Sequence, residues 1–257
     1  AELYKAKGER NEEIVNEQMY TFVDKGDREV ALRPEMTPTL ARMVAGRRKG
    51  LKLPLRWFSI PNCFRYERPQ RGRKREHWQL NCDLVGGAGV EAEVEIITLA
   101  YKIMKEFGAK DEDFEIRINS RKIIENTYGK DMIGLLDRKE KMENNEFEEE
   151  WLKTCGKPFA FPEIDDETKT LISKLEEKGI KSIFSPTTAR GFDYYTGMVF
   201  EVFDTNPENK RSLFGGGRYD NLLQMFGVEP LPTVGFGMGD VTMRDFLETH
   251  KLPPFNN

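Results

Sequence analysis

The segment that most constrains the fold is residues 63–86, which read C-F-R-Y-E-R-P-Q-R-G-R-K-R-E-H-W-Q-L-N-C-D-L-V-G. Polar residues at every second position of its second half share one face: His77, Gln79, Asn81 and Asp83. The other face carries Trp78, Leu80, Cys82 and Leu84. Alternation with a period of two is typical of a strand that rests one face on a core. Arg65 and Glu67 share a face in the same way before the loop. We therefore predict a β-hairpin with a free polar face.

The loop of this hairpin is strongly basic. Residues 65–75 contain one acid, Glu67, among the cations Arg65, Arg68, Arg71, Arg73, Lys74 and Arg75. The net charge of the whole chain is −4, so the positive charge is local. Local positive charge in a balanced chain favours a phosphate-containing ligand over non-specific coating of nucleic acid. The alternative is an ordinary solvated face with a loop that is basic by chance.

Length and composition exclude several classes of protein. A chain of 257 residues suits one large domain, or one domain with a smaller insertion. Three cysteines without C-x-x-C spacing and two histidines predict neither a disulfide framework nor a structural metal site. Reduced thiols fit an intracellular, cytoplasmic protein. We see no apolar run of about 18 residues and no signal peptide. The first residues read as the middle of a helix, which predicts an excised fragment.

A second candidate site lies in the stretch L-R-P-E-M-T-P-T-L-A-R-M-V. Strands are predicted around the turn Lys25-Gly26-Asp27, and a helix follows with Thr37 as its N-cap and Pro38 as its first residue. Glu35 and Thr37 then sit where a strand ends and a helix begins. Free N–H groups at a helix start favour ligand binding there. Plain capping explains the same residues equally well.

The rest of the chain divides by composition. Helices are predicted over residues 91–107 and 167–177, with Gly108 and Gly179 as their ends. Residues 119–165 are rich in Lys and Glu and predict a solvated helical insertion with little chemistry. Beyond them come A-R-G-F-D-Y-Y-T-G, then G-G-G-R-Y-D-N-L-L, then T-V-G-F-G-M-G-D. Glycines at such density let a ligand approach the backbone closely.

Taken together, these motifs resemble the histidyl-tRNA synthetase family of class II aminoacyl-tRNA synthetases. The basic hairpin is similar to motif 2 of that class, L-R-P-E-M-T to the amino-acid-binding turn, and T-V-G-F-G-M-G to the start of motif 3. R-G-F-D-Y-Y-T-G and G-G-G-R-Y-D resemble the two histidine-specific motifs. The resemblance implies an α+β fold, with an antiparallel sheet flanked by helices. It also implies a catalytic domain over residues 1–118 and 180–257, a charged helical insertion over 119–179, and no C-terminal anticodon-binding domain.

By the same resemblance, the family's reaction uses ATP to activate L-histidine as histidyl-adenylate and then transfers histidine to tRNA(His). It implies Arg65 and Arg190 as catalytic residues at the α-phosphate. ATP would be bound by Arg65, Glu67, Arg73, His77 and Arg190. Histidine would be bound by Glu35, Thr37, Gln79, Asp83, Tyr194, Tyr195 and Tyr219. Mg²⁺ would bridge the phosphates through ligands that the sequence does not assign, and the protein would be a homodimer.

Two departures leave other readings open. Asp83 stands where the family often has Glu, which shortens the side chain by one methylene. Thr242 stands where motif 3 usually has an arginine, and Arg244 lies two residues further, about 200° around a helix. Non-aminoacylating relatives share the fold: the regulatory subunit of ATP phosphoribosyltransferase and the synthetase-like domain of a stress kinase that binds uncharged tRNA. A plain phosphate-binding module is a further alternative. The four residues Arg65, Glu67, Arg73 and Arg190 together favour the enzyme.

Overall fold

The fold was analysed in a computed structural model, which describes residues 2–5, 17–139, 142–191, 194–209 and 211–255. The strands are β1 Thr21–Val23, β2 Glu29–Ala31, β3 Leu55–Ser59, β4 Asn62–Phe64, β5 Glu76–Val85, β6 Phe114–Ser120, β7 Ser182–Phe184, β8 Met198–Asp204, β9 Ser212–Arg218 and β10 Thr233–Gly239. The α-helices are α1 Glu2–Lys5, α2 Thr37–Arg47, α3 Val90–Glu106, α4 Arg121–Tyr128, α5 Ile133–Arg138, α6 Asn144–Cys155, α7 Asp166–Glu176 and α8 Asp240–Thr249.

A single large sheet organises the described part of the chain. Its strand order is β3-β5-β10-β9-β8-β6-β7, and β4 pairs with one end of β5. Every neighbouring pair is antiparallel except β6 and β7, which run parallel. The predicted α+β fold with an antiparallel sheet and flanking helices is therefore confirmed. β1 and β2 form a separate small hairpin around the predicted turn.

The two faces of the sheet are covered differently. On one face α3, α7 and α8 bury an apolar core that includes Ile97, Met104 and Phe200. On the other face α2 and the 3₁₀ helix Leu222–Phe226 cover only part of the sheet, around Val44 and Val199. Because successive residues of a strand point to opposite faces, Val199 and Phe200 serve the two cores in turn. The uncovered remainder of the second face is where the candidate site lies.

The helical insertion has a core of its own. Phe147 and Trp151 lie one helical turn apart on α6 and are fully buried, together with Leu136 of α5 and Ile124 of α4. The sequence analysis treated this stretch as solvated because charged residues outnumber these few aromatic ones. Helix α7 belongs elsewhere, since Leu171 and Leu175 pack into the main core beside α3. The boundary of the insertion at residue 179 remains a prediction.

Local expectations were wrong at two places. Met36, not Thr37, is the N-cap of α2, and its side chain makes no capping hydrogen bond. The hydroxyl of Thr37 is hydrogen-bonded to Tyr194 instead. In the main hairpin, Cys82 and Leu84 are buried as predicted, whereas Trp78 is 51% exposed. The pairing of β5 with β10 ends at Gln79, so Trp78 lies beyond the packed part of the sheet. Among the described residues, no helix has the length and apolar character needed to cross a membrane.

Candidate active site

All the predicted site residues line one cavity of about 310 Å³ on the open face of the sheet. They are Glu35, Thr37, Arg65, Glu67, Arg73, His77, Gln79, Asp83, Arg190, Tyr194, Tyr195 and Tyr219. They come from α2 and the turn before it, from the hairpin of β4 and β5, and from the segments around β8 and β9. The structure thus brings together residues that lie up to 184 positions apart, between Glu35 and Tyr219. Their individual roles stay predictions.

Glycines of β9 and β10 form the floor of this cavity. A Cβ atom at Gly235 would collide with the carboxylate of Asp83 and would lie 3.0 Å from Oη of Tyr219. A Cβ atom at Gly217 would lie 2.8 Å from the ring of Tyr195. Both spacings are too short for real side chains, so glycine is required for these aromatic and acidic groups to lie flat on the sheet.

One end of the cavity is acidic and aromatic. The hydroxyl of Tyr219 donates a hydrogen bond to Oδ1 of Asp83, and both side chains are buried. Burial raises the pKa of Asp83 to about 7, although the hydrogen bond from Tyr219 opposes this rise. The hydroxyl of Tyr194 lies 3.5 Å from a carboxylate oxygen of Glu35. The ring centroids of Tyr194 and Tyr195 are 4.8 Å apart. This end offers hydrogen bonds and stacking to a small planar group with N–H donors.

The other end of the cavity is basic. Arg65 donates through Nε to the carbonyl oxygen of Pro34 at 2.9 Å, which ties the hairpin to the turn that carries Glu35. Glu67 lies between two guanidinium groups, with Arg73 at 3.4 Å and Arg65 at 4.0 Å. The hydrogen bond to Pro34 fixes Arg65 in direction, and both arginines line the cavity, where guanidinium groups can recognise an anion.

His77 lies at the same basic end. Burial lowers the pKa of its imidazole, and the positive charge of Arg65 lowers it further. The ring is therefore neutral at pH 7. A neutral, half-buried ring at this position can stack on a flat heterocycle without adding charge.

Arg190 is held by a residue that the sequence analysis missed. Its backbone is in the left-handed region, at φ 55°, and Nη1 lies 3.0 Å from Oε1 of Glu201 on β8. Burial raises the pKa of Glu201, and the charge of Arg190 opposes this rise. A signal for this pair was present in the sequence, because Glu201 is the one acid inside the apolar run M-V-F-E-V-F.

Asn119 supports the loop that leads to Arg190. It lies at the end of β6, is fully buried, and donates through Nδ2 to the carbonyl oxygens of Pro186 at 3.1 Å and Thr188 at 2.9 Å. These bonds fix the backbone two residues before Arg190. Nothing in the sequence around Asn119 separated it from an ordinary strand end.

Helix α8, which follows the last strand, carries the position at which motif 3 usually has an arginine. Thr242 lines the cavity, but its hydroxyl donates to the carbonyl oxygen of Leu213 at 2.7 Å. Arg244 is exposed on the other side of α8, where it pairs with Glu248 at 2.8 Å and lies over the ring of Phe255. The helical geometry had predicted this direction. Neither residue therefore offers a cation to the cavity in the structure.

The carboxylates of the cavity do not form a metal site by themselves. No group of three or more His, Cys, Asp or Glu residues within the described ranges could hold a metal ion. Glu67 and Glu201 are each paired with arginine. Mg²⁺ is usually bound through one or two carboxylates together with waters and phosphate oxygens, and these two carboxylates are already paired with arginine.

Comparison with known proteins agrees with this geometry. The antiparallel sheet with flanking helices is the class II aminoacyl-tRNA synthetase fold, which solved histidyl-tRNA synthetase structures share. The family model described as histidyl-tRNA synthetase matches residues 2–128 and 121–240. The chain belongs to the histidyl-tRNA synthetase family.

Individual relatives support the same assignment. The chain is 44% identical to a histidine–tRNA ligase of Leptospira biflexa, over 98% of this chain and 65% of that protein. Among solved structures, a histidine–tRNA ligase subunit from Alicyclobacillus acidocaldarius has a TM-score of 0.75 at 22% identity, over 97% of this chain and 85% of its own. An ATP phosphoribosyltransferase regulatory subunit/histidyl-tRNA synthetase from Bacillus halodurans has a TM-score of 0.69 at 25% identity, over 91% and 69%. The chain thus spans slightly less than two thirds of the length of the Leptospira relative.

Proposed function

We propose that this chain carries the amino-acid-activating site of a histidine–tRNA ligase. The whole protein would join L-histidine and ATP to histidyl-adenylate and then transfer histidine to tRNA(His). One observation carries the proposal: polar aromatic residues and a set of arginines line a single cavity, as a site for histidine and ATP phosphates would need. The names of the relatives, each a histidine–tRNA ligase, give independent support.

The basic end suits the chemistry of activation. The carboxylate of histidine attacks the α-phosphorus of ATP, the bond to the bridging oxygen breaks, and pyrophosphate leaves with that electron pair. Negative charge grows on the non-bridging oxygens, where fixed guanidinium groups stabilise it. Arg65 and Arg190 are the catalytic residues of this step, because each is held in direction by a partner that is not a substrate: Pro34 and Glu201.

The remaining ATP contacts follow from the same end of the cavity. Arg73 binds the distal phosphates, Glu67 faces the adenine amino group, and neutral His77 stacks on the adenine ring. Glu67 also lies 3.4 Å from Nη1 of Arg73. Binding of phosphate to Arg73 would release one of these contacts, so the two residues respond to ATP together. Mg²⁺ enters with ATP and is held chiefly by its phosphates.

The acidic end accounts for the choice of histidine. Asp83, with Tyr219 beside it, accepts a hydrogen bond from an imidazole N–H, and Tyr195 closes the pocket from the other side. Glu35, Thr37 and Gln79 hold the amino group and orient the substrate, and Tyr194 bridges to Glu35. A pocket with buried acceptors rejects amino acids that lack a matching donor, because those acceptors would be left unpaired.

The assembly and location belong to the same proposal. We infer a cytoplasmic homodimer with the catalytic domain over residues 1–118 and 180–257 and the helical insertion over 119–179. Within these bounds, Leu171 and Leu175 of α7 join the insertion to the main core.

A second candidate function has one specific observation in its favour. Thr242 occupies the position at which motif 3 usually supplies an arginine, and it offers no cation. A non-aminoacylating relative could tolerate this loss, and the Bacillus halodurans structure bears both names, ATP phosphoribosyltransferase regulatory subunit and histidyl-tRNA synthetase. Such a protein would bind histidine without consuming ATP.

The test is histidine-dependent exchange of radioactive pyrophosphate into ATP by the whole protein. We expect exchange that requires histidine and that no other standard amino acid replaces. Arg65→Ala should abolish it, and Arg244→Ala serves as the matched control because Arg244 lies outside the cavity. Histidine binding by calorimetry without any exchange would favour the non-aminoacylating relative.

A further inference from the structure

The tip of the basic loop is fastened to the last helix. Residues 70 and 73 face each other in a tight turn, with N–H···O distances of 2.9 and 3.2 Å, and Gly72 has a φ of 74°. Arg71 points away from the cavity toward α8, whereas Arg73, two residues on, lines the cavity. Of the two arginines of this turn, Arg71 therefore anchors the loop to the protein, and Arg73 faces the cavity.

Arg71 makes several contacts outside the cavity. Its guanidinium donates to the carbonyl oxygen of Glu208 at 3.2 Å and to the hydroxyl of Thr249 at 3.0 Å. Its Nε lies 3.8 Å from a carboxylate oxygen of Asp245 on α8. These partners lie 137 to 178 positions away along the chain. The contacts therefore fix the loop against a part of the structure that is remote in sequence.

Arg211 fastens the same turn from its backbone side. It donates to the carbonyl oxygen of Arg71 at 2.8 Å, and its Nη1 lies 3.6 Å from the same carboxylate oxygen of Asp245. Its guanidinium occupies the space that a Cβ atom at Gly72 would need. Asp245 thus holds two arginines at once, while its own side chain is 18% exposed.

We propose that Asp245, acting through Arg71 and Arg211, is a positioning residue that holds the tip of the basic loop against α8 and so keeps Arg73 at the basic end of the cavity. Thr242 gives α8 no cation for the distal phosphates, so the basic loop, whose Arg73 and Lys74 line the cavity, is the source of that charge. Arg73 can supply that charge only while the tip of the loop stays in place. The expected effect on ATP binding rests on the proposed function, whereas the anchoring of the loop does not.

The first test measures how firmly the tip of the basic loop is held against α8, and it needs no activity assay. Trypsin cuts after Arg71 and Arg73, and mass spectrometry of the whole protein after limited digestion reports cleavage at these bonds. We expect Asp245→Asn to speed this cleavage about three- to tenfold. Loss of two partly exposed ion pairs should raise the fraction of molecules with a detached loop by about that factor. The control is Glu248→Gln, which removes the exposed pair with Arg244 on the same helix and should leave cleavage unchanged. Equal cleavage in wild type and Asp245→Asn would overturn the proposal.

The second test separates positioning from a general loss of structure. In pyrophosphate exchange, Asp245→Asn should raise KM for ATP about three- to tenfold while KM for histidine stays within about twofold. Arg71→Gln, a change at a half-exposed side chain, should shift KM for ATP in the same direction, and the double variant should raise it by less than the product of the two single effects. Equal rises in both KM values would overturn a positioning role. If the wild type shows no exchange, the proposed function fails, and cleavage alone decides whether Asp245 holds the loop.

Discussion

Asp83 is a buried acid whose removal should stabilise the protein while it damages the site. Asp83→Asn keeps an oxygen that can accept the hydrogen bond from Tyr219 but removes the group that burial makes costly to ionise. In the folded chain the pKa of Asp83 is about 7, against an ordinary value of 3.8. The folded state therefore holds a proton that the unfolded state has lost over this range of pH.

The sign and size of the effect follow from proton linkage. Below about pH 4 both states are protonated, and the full contribution of Asp83 to stability is present. As pH rises from 3.8 to about 7, the free energy of unfolding falls by about 1.4 kcal/mol per pH unit, or about 4 kcal/mol in all. Above pH 7 the contribution is lost. The asparagine variant has no proton to lose and lacks this slope.

Urea unfolding followed by far-UV circular dichroism at pH 5 and pH 8 measures the slope directly. We expect the stability of wild type relative to Asp83→Asn to fall by about 2–3 kcal/mol between the two values. Glu229→Gln, at an exposed acid, is the matched control and should run parallel to wild type. Parallel profiles for wild type and Asp83→Asn would refute the reasoning, because Asp83 would then be ionised in the folded state as readily as in the unfolded one.

Three further predictions concern activity, measured by pyrophosphate exchange. Arg190→Ala should slow exchange about 10²-fold or more with the fold intact, and Glu201→Gln should lower kcat in the same direction by a smaller factor; a near-normal rate for the alanine variant would remove Arg190 from the mechanism. Tyr195→Phe should weaken histidine binding about tenfold and leave ATP binding within about twofold, and a loss of ATP affinity instead would show that the division of the cavity is wrong. Arg73→Ala should reduce ATP turnover strongly and Arg244→Ala should change it little, whereas a collapse on losing Arg244 would mean that it had replaced the motif 3 arginine.

The sequence was sufficient for the fold where patterns were local and strong. The alternation over residues 77–84 and the helical spacing over residues 91–107 both correspond to elements of the structure, β5 and α3. It was insufficient where a tertiary partner decided the outcome. Thr37 has the chemistry of an N-cap, but its hydroxyl is taken by Tyr194, 157 residues away. No local pattern carries that information.

The residues of the candidate site could likewise be predicted from the sequence only in part. Motif residues such as Arg65 and Asp83 could be assigned to one cavity because the resemblance fixes their order along the chain. Arg218, in the motif G-G-G-R-Y-D, looks equally functional, yet the structure pairs it with Glu93 at 2.7 Å and with carbonyl oxygens at the start of α3. It fastens that helix to the sheet. The sequence does not distinguish an arginine that faces the ligand from one that holds a helix against the sheet, whereas the structure does.

The supporting acids explain how the cavity keeps so much positive charge near a small volume. Glu201 and Glu67 hold arginines that line the cavity, and Asp245 lies beside the two arginines that anchor the loop of Arg73. Glu67 and Glu201 offset the repulsion among the cations of the cavity, and each of the three acids restricts the directions of its arginines. Removing one of them therefore increases the net positive charge and still weakens phosphate binding, because direction is lost. A site that depended on net charge alone would respond in the opposite way, with tighter ATP binding in Asp245→Asn.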